Sequence, residues 1–169
     1  MKSLGLDLSL RCTGIVLIEG HNENDFLVND YHIVTTLKGD NVTLLDVTER
    51  CMHIASEIMA KVDKHKPDVI NIESLSYNSH NTSSRHLAML LGVVLNELVK
   101  GNVNENIIFT APMALKKYAT GKGNASKKDV MAEIQPKCPN FYGILKSTPQ
   151  TKGKFDLADA FWLGLLGIS

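Results

Sequence analysis

The chain has 169 residues, 44% of them hydrophobic and 21% charged, with equal numbers of basic and acidic side chains. That is enough apolar material for one ordinary folded domain, expected to span residues 1–169, and it excludes an intrinsically disordered chain. No run of about 18 apolar residues occurs, which excludes a membrane-spanning helix. Asp7 and Arg11 interrupt the N-terminal apolar stretch, which argues against a signal peptide and for a cytoplasmic protein.

Residues 2–8 are apolar enough for a first strand, and the β-branched run TGIVLI at 13–18 reads as a second, close enough for a hairpin. After a polar loop at 21–25, YHIVT at 31–35 gives a third strand, so the chain opens with an antiparallel meander. Residues 42–63 change to a helical period with one apolar face, Asn41 being placed to cap it. Pro67 ends that helix, and DVINIE at 68–73 reads as a buried strand. Residues 83–100 form a strongly apolar helix stopped by Gly101, and IIFT at 107–110 is a short fifth strand. Pro112 starts a brief helix through Tyr118. A polar loop at 120–128 leads to a helix over 126–134, stopped by the Pro136 and Pro139 region. Residues 141–153 show little periodicity, and 155–168 closes the chain as an apolar helix. Strands and helices in this order predict an α/β fold with a mixed sheet.

Cys12, Cys51 and Cys138 are odd in number and form no CxxC, so neither a disulfide framework nor a zinc site is expected. Neutrality hides a gradient. Residues 1–80 carry a net −5, residues 81–169 a net +5, and the segment 110–154 alone +7. Such a segment is either a soluble lysine-rich surface or a local contact for a polyanion.

Four acids stand out against this background. Asp7 lies inside the apolar strand LGLDLSL, sharing a face with Gly5 and Ser9 while Leu4, Leu6 and Leu8 point the other way. A carboxylate there is costly to desolvate without a cation or a donor. Glu73 ends the run VINIE, at the carboxyl end of a strand, where α/β proteins often place functional groups. Asp156 and Asp159 stand three apart in FDLADAF, on one helical face. The preference of acids for helix N-termini offers those two a purely structural role. If the fold gathers all four, they suit hard cations such as Mg²⁺, which take oxygen ligands. Two such ions about 3.5–4 Å apart serve phosphodiester chemistry by activating water and stabilising the leaving oxygen.

These pieces resemble the RuvC family of Holliday junction resolvases, within the ribonuclease H-like superfamily. GLDLSLRCTG resembles the family's first strand, G-x-D-x-S/P-x-x-x-T-G. INIESL resembles the strand with the catalytic Glu, APMALKKYATGKGNASKKDVM the basic segment, and FDLADAFWLGL the closing D-x-x-D-A helix. The pieces occur in family order across nearly the whole chain. No further domain accompanies them, which suits a minimal member of phage type, working in a bacterial or phage-infected cytoplasm.

The resemblance implies a ribonuclease H-like fold, a five-stranded mixed sheet flanked by helices. It implies Asp7, Glu73, Asp156 and Asp159 as catalytic, metal-binding carboxylates for two Mg²⁺ ions, with Mn²⁺ as an alternative, and no small-molecule cofactor. Lys116 and Lys127 fall where relatives carry lysines near the scissile phosphate. Lys117, Lys122 and Lys128 extend that DNA-binding surface. The family's aromatic residue three positions after the catalytic Glu is absent, Ser76 standing there, and neighbouring Tyr77 is the candidate for stacking on the junction. The loop at 77–84 is polar and offers Asn78, His80 and Asn81 to the DNA. The apolar girth of helix 83–100 fits either burial within the chain or a two-fold homodimer interface, and two symmetric nicks favour the dimer. The implied activity is paired cleavage of four-way DNA junctions. A nuclease acting on RNA–DNA hybrids or flaps, a non-catalytic junction binder and a sugar-kinase-like ATPase remain as rivals, the last needing a second lobe that 169 residues do not supply.

Overall fold

The computed structural model of the chain describes residues 1–36, 42–75, 82–103 and 106–169. Three strands, β1 (Lys2–Asp7), β2 (Cys12–Asn22) and β3 (Asp25–Thr35), lead into helix α1 (Leu44–His65). Strand β4 (Val69–Glu73), helix α2 (Thr82–Lys100) and strand β5 (Ile107–Thr110) follow. The sheet order is β3-β2-β1-β4-β5. The first three strands are antiparallel, and β4 and β5 run parallel to β1. The five-stranded mixed sheet expected from the sequence is therefore present.

The hairpin β2–β3 is longer than its apolar residues suggest. Both strands continue through the polar stretch 21–25 and leave only a tight turn between Asn22 and Asp25. The backbone ladder sustains this outer part, where alternate side chains need no burial. The Asn41 cap lies outside the described residues. Thr43 caps α1 instead, accepting from the Asp46 amide at 3.1 Å.

Alternation along β1 sorts the core into two layers. Leu4, Leu6 and Leu8 join Ile15 and Leu17 against α1 and α2. Ser3, Gly5 and Asp7 face the other way, onto the last helix, α7 (Lys154–Gly167). That helix is apolar around most of its circumference because it is covered on both sides. The sheet lies beneath it. Above it lie α3 (Pro112–Thr120), α4 (Lys127–Ala132), α5 (Ile134–Lys137) and α6 (Pro139–Ser147). Trp162 of α7 donates to the Val130 carbonyl at 2.9 Å, and Phe161 stacks on Phe141 at 5.3 Å. Helix α6 falls in the stretch whose sequence shows little period. It is nine residues long and buries only Phe141 and Leu145, too short a pattern to stand out, and Pro139 opens it rather than stopping the helix before it.

Two glycines set how closely α7 approaches the sheet. A side chain on Gly5 would collide with the backbone of Ala160 and Gly164, and one on Gly14 with the backbone of Asp156 and Leu157. The close seat at Gly14 fixes the N-terminal turn of α7 beside Asp7, the residue paired with Gly14 across the ladder. Gly14→Ala is therefore expected to lower stability by about 1–3 kcal/mol through overpacking. Urea unfolding of the variant checks this, and an unchanged midpoint would contradict so close a contact.

Candidate active site

Asp7 and Glu73 end neighbouring parallel strands, and the register Leu6↔Ile72 places them side by side. Two residues back along each strand, Gly5 and Asn71 are paired on the same face. Asn71 donates to the Leu163 carbonyl of α7 at 3.0 Å and accepts from Thr110 Oγ1 at 2.8 Å. This buried link ties β4, β5 and α7 together one step below the acids. The first turns of α7 then bring Asp156 and Asp159 over the strand ends.

The turn after Asp7 explains more of the motif. Thr13 Oγ1 donates to the Ser9 carbonyl at 2.7 Å and accepts from the Ser9 amide at 3.1 Å. Ser9 Oγ accepts from the amides of Arg11 and Cys12. The Thr36 amide donates to the Arg11 carbonyl at 3.2 Å, and Thr36 Oγ1 donates to the Leu10 carbonyl. The Ser and Thr of GLDLSLRCTG are thus a latch that holds the turn, and its second Gly is the seat of α7.

All four acids lie in one another's field. Asp7 is only 7% exposed, and desolvation, then the charges of Glu73, Asp159 and Asp156, push its carboxyl well above the ordinary range. Burial likewise raises Glu73 and Asp156. Asp159 is pushed up to about 7 by desolvation and then by Glu73. The neighbouring Asp7 carboxyl in turn favours the charged form of Glu73.

Positive charge comes from the basic segment. Lys127 acts on all four acids, and Lys116 on Glu73 and Asp159, each favouring the charged form. Lys117, Lys122 and Lys128 are exposed and do not figure among the charges that shift the four acids, although Lys122 acts on Asp129. Tyr77, Ser76 and the loop residues Asn78, His80 and Asn81 lie outside the described residues. Arg11 is an addition. Its charge helps hold down Asp156, yet in the sequence it is one arginine in a turn, with no spacing to mark it.

Among the described residues no group of three or more His, Cys, Asp or Glu side chains is arranged as a ready-made ion cage. The donor chemistry nonetheless fits a hard divalent cation: four carboxylates, desolvated and repelling one another, each raised above the ordinary range. Asp7, Glu73, Asp156 and Asp159 are the residues that would hold it.

A sheet of this order with an all-carboxylate cluster at the ends of its central strands defines a ribonuclease H-like nuclease. The family model described as crossover junction endodeoxyribonuclease RuvC matches residues 3–161. A relative of that description from Caldicellulosiruptor saccharolyticus is 26% identical over 135 residues, covering 80% of this chain and 77% of its own. Another, from Sphingopyxis alaskensis, is 30% identical over 160 residues, covering 95% and 92%. The solved structure of Thermus thermophilus RuvC in complex with Holliday junction substrate matches with a TM-score of 0.74 at 20% identity, covering 98% of this chain and 91% of that one. The chain belongs to the RuvC family of crossover junction endodeoxyribonucleases.

The acid cluster has a signature in metal-free protein. Folded Asp159 keeps its proton up to about 7, whereas the unfolded carboxyl releases it near 3.8. Between these values the folded chain binds more protons than the unfolded one. The stability this confers is complete below about 4 and is lost as pH rises through 7. With EDTA present, the unfolding free energy is expected to fall across that window. Asp159→Asn should flatten the fall by an order of 1–2 kcal/mol, discounted for partial exposure. Denaturant titrations at several pH values measure it, and identical slopes in the two proteins would contradict the assignment.

Proposed function

We propose that the chain is a structure-selective endodeoxyribonuclease that resolves four-way, Holliday-type DNA junctions by paired symmetric nicks. The observation that carries this reading is the convergence of Asp7, Glu73, Asp156 and Asp159 under the charges of Lys116 and Lys127. Carboxylates alone would repel a phosphodiester, so the cluster makes sense at a phosphate only with cations between them. We assign Mg²⁺, two ions per site, with Mn²⁺ as a substitute.

Bound there, the ions supply Lewis acidity at the phosphate and a lowered pKa for the attacking water. The chain's own part is positional and electrostatic. The buried Asp7 feels the charges of the strand acid Glu73 and of the helix acids Asp156 and Asp159, so one corner of the fold orients all four. Lys127 and Lys116 offset the negative charge that grows on the phosphate in the transition state. Water adds to phosphorus, the bond to the 3′ oxygen breaks, and 5′-phosphate and 3′-hydroxyl ends result. Lys117, Lys122, Lys128 and Tyr77 are assigned to the flanking DNA, where phosphate contacts dominate affinity.

Paired nicks call for two active sites, and we assign a homodimer. Helix α2 supports this. Only Leu90, Val94 and Leu98 are fully buried on it, while Met89, Leu91, Val93 and Leu95 remain partly covered. Neighbouring α1 exposes Leu44, Leu45 and Met52 at 60–72%. Apolar residues left partly covered on these two packed helices suit a two-fold contact.

A labelled immobile four-way junction tests the reading. Wild-type protein is expected to make paired, symmetric nicks with Mg²⁺ and none with EDTA. Asp7→Asn should lose at least about a hundred-fold in rate while still binding the junction. Preferred cutting of RNA–DNA hybrids or flaps would replace the substrate, and binding without cutting would point to a non-catalytic junction protein.

A further inference from the structure

A cavity of about 810 Å³ opens beside the acid cluster, on the other face of the sheet. Its wall starts at Leu8, one residue beyond Asp7. It runs along the β1–β2 turn to the first turn and a half of α2. The four carboxylates lie on the α7 face, so the turn is a ridge between site and cavity. Arg11 stands on that ridge. Its side chain lines the cavity, and its charge reaches Asp156 on the opposite side.

The lining has a consistent chemistry. Thr82, Ser83 and His86 present hydroxyls and an imidazole from α2, and Leu10 and Leu87 give apolar wall. Among the described residues no Asp or Glu lines the cavity, and the first turn of α2 contains no acid, so the positive end of that 19-residue helix faces it. Arg50 also borders the space, but two of its N–H groups and its charge are already engaged. Nε binds Thr36 Oγ1 at 2.8 Å, Nη2 binds the Leu10 carbonyl at 3.1 Å, and Nη1 pairs with Asp46 at 3.6 Å. Arg50 therefore fixes the wall. Among the described residues, no hydrogen bond or ion pair engages the side chains of Arg11 or His86, which leaves both for a ligand.

We propose that this cavity seats an unstacked nucleotide of the DNA strand next to the scissile phosphate, with Arg11 holding the phosphate that crosses the ridge. The proposal rests on the nuclease reading above and adds a subsite to it. An apolar wall with a few convergent hydrogen-bonding groups suits a base and sugar, and the volume lies within the range of pockets that enclose small ligands. Cationic and hydroxyl groups at the rim suit the backbone. The latched turn gives Arg11 a fixed base, so the two sides of the ridge keep their spacing when DNA binds.

Ser83 is exposed and outside the catalytic machinery, so two changes there test the proposal. Ser83→Trp fills the mouth of the cavity. Ser83→Glu adds a charge that favours the helix N-terminus, so it keeps the fold while repelling a phosphate. The first readout is the affinity for a short labelled single-stranded oligonucleotide, independent of any cleavage. The second is fluorescence of 2-aminopurine placed beside the cleavage site in a junction bound by Asp7→Asn protein. We expect about ten-fold weaker oligonucleotide binding in both variants. We also expect a rise in 2-aminopurine fluorescence that Ser83→Trp abolishes. Unchanged oligonucleotide affinity in both variants, or an unchanged fluorescence rise, overturns the subsite. An altered oligomeric state with normal oligonucleotide binding gives the cavity to a second copy of the chain and also overturns it. A wild-type protein that binds oligonucleotide through Ser83 but neither binds nor cuts junctions keeps the subsite and removes the junction reading.

Discussion

Holding Asp7, Glu73, Asp156 and Asp159 in one another's field costs free energy twice, once in desolvation and once in repulsion. The rest of the molecule is arranged to sustain that cost. Three backbone segments are fixed against one another at the site: the end of β1, the end of β4 and the first turns of α7. Gly5 and Gly14 let α7 lie directly on the sheet, and the buried Asn71 link stops it from sliding. Lys127 and Lys116 lower the repulsion, and the raised proton affinity of the buried carboxyls relieves part of what remains. A site under this strain has a built-in appetite for cations, which is what phosphodiester hydrolysis asks of it.

The same corner explains why a basic segment sits in an otherwise neutral protein. Lys116 on α3 and Lys127 at the start of α4 come from the layer above α7, the opposite side from the strand acids. Acids and bases therefore enter from different layers and meet only at this edge. Charge that cancels over the whole chain is locally separated, negative at the strand ends and positive around them. Under the proposed function, such a field would draw a phosphate backbone toward the lysines, with cations held by the acids beneath it.

Much of this is legible in the sequence because the decisive features are local. A carboxylate inside an apolar alternation, as at Asp7, marks its own strand and its own face. The i, i+3 spacing of Asp156 and Asp159 likewise fixes their common side. What joins them is not local. The approach of α7 to Gly14 is a tertiary fact, and nothing in the residues 155–168 says which strand the helix will cross. Arg11 is invisible for a similar reason, since its position depends on Thr36, 25 residues further on, closing the latch that Ser9 and Thr13 begin. Polar strand ends in β2 and β3 and the short helix α6 escape periodicity because neither buries a repeating face. Tyr77 and Asn41 fall in segments outside the described residues, and there the sequence stands alone.

The central claim is that the four acids carry excess negative charge that protons hold when cations are absent. Titrating Mg²⁺ or Mn²⁺ into metal-free protein near neutral pH, in two buffers of different ionisation heat, measures it directly by calorimetry. Cation binding accompanied by release of about one proton per site, with both lost in Asp7→Asn, is the expected result. Binding with no proton release, or equal binding in the Asp7→Asn variant, would contradict the account.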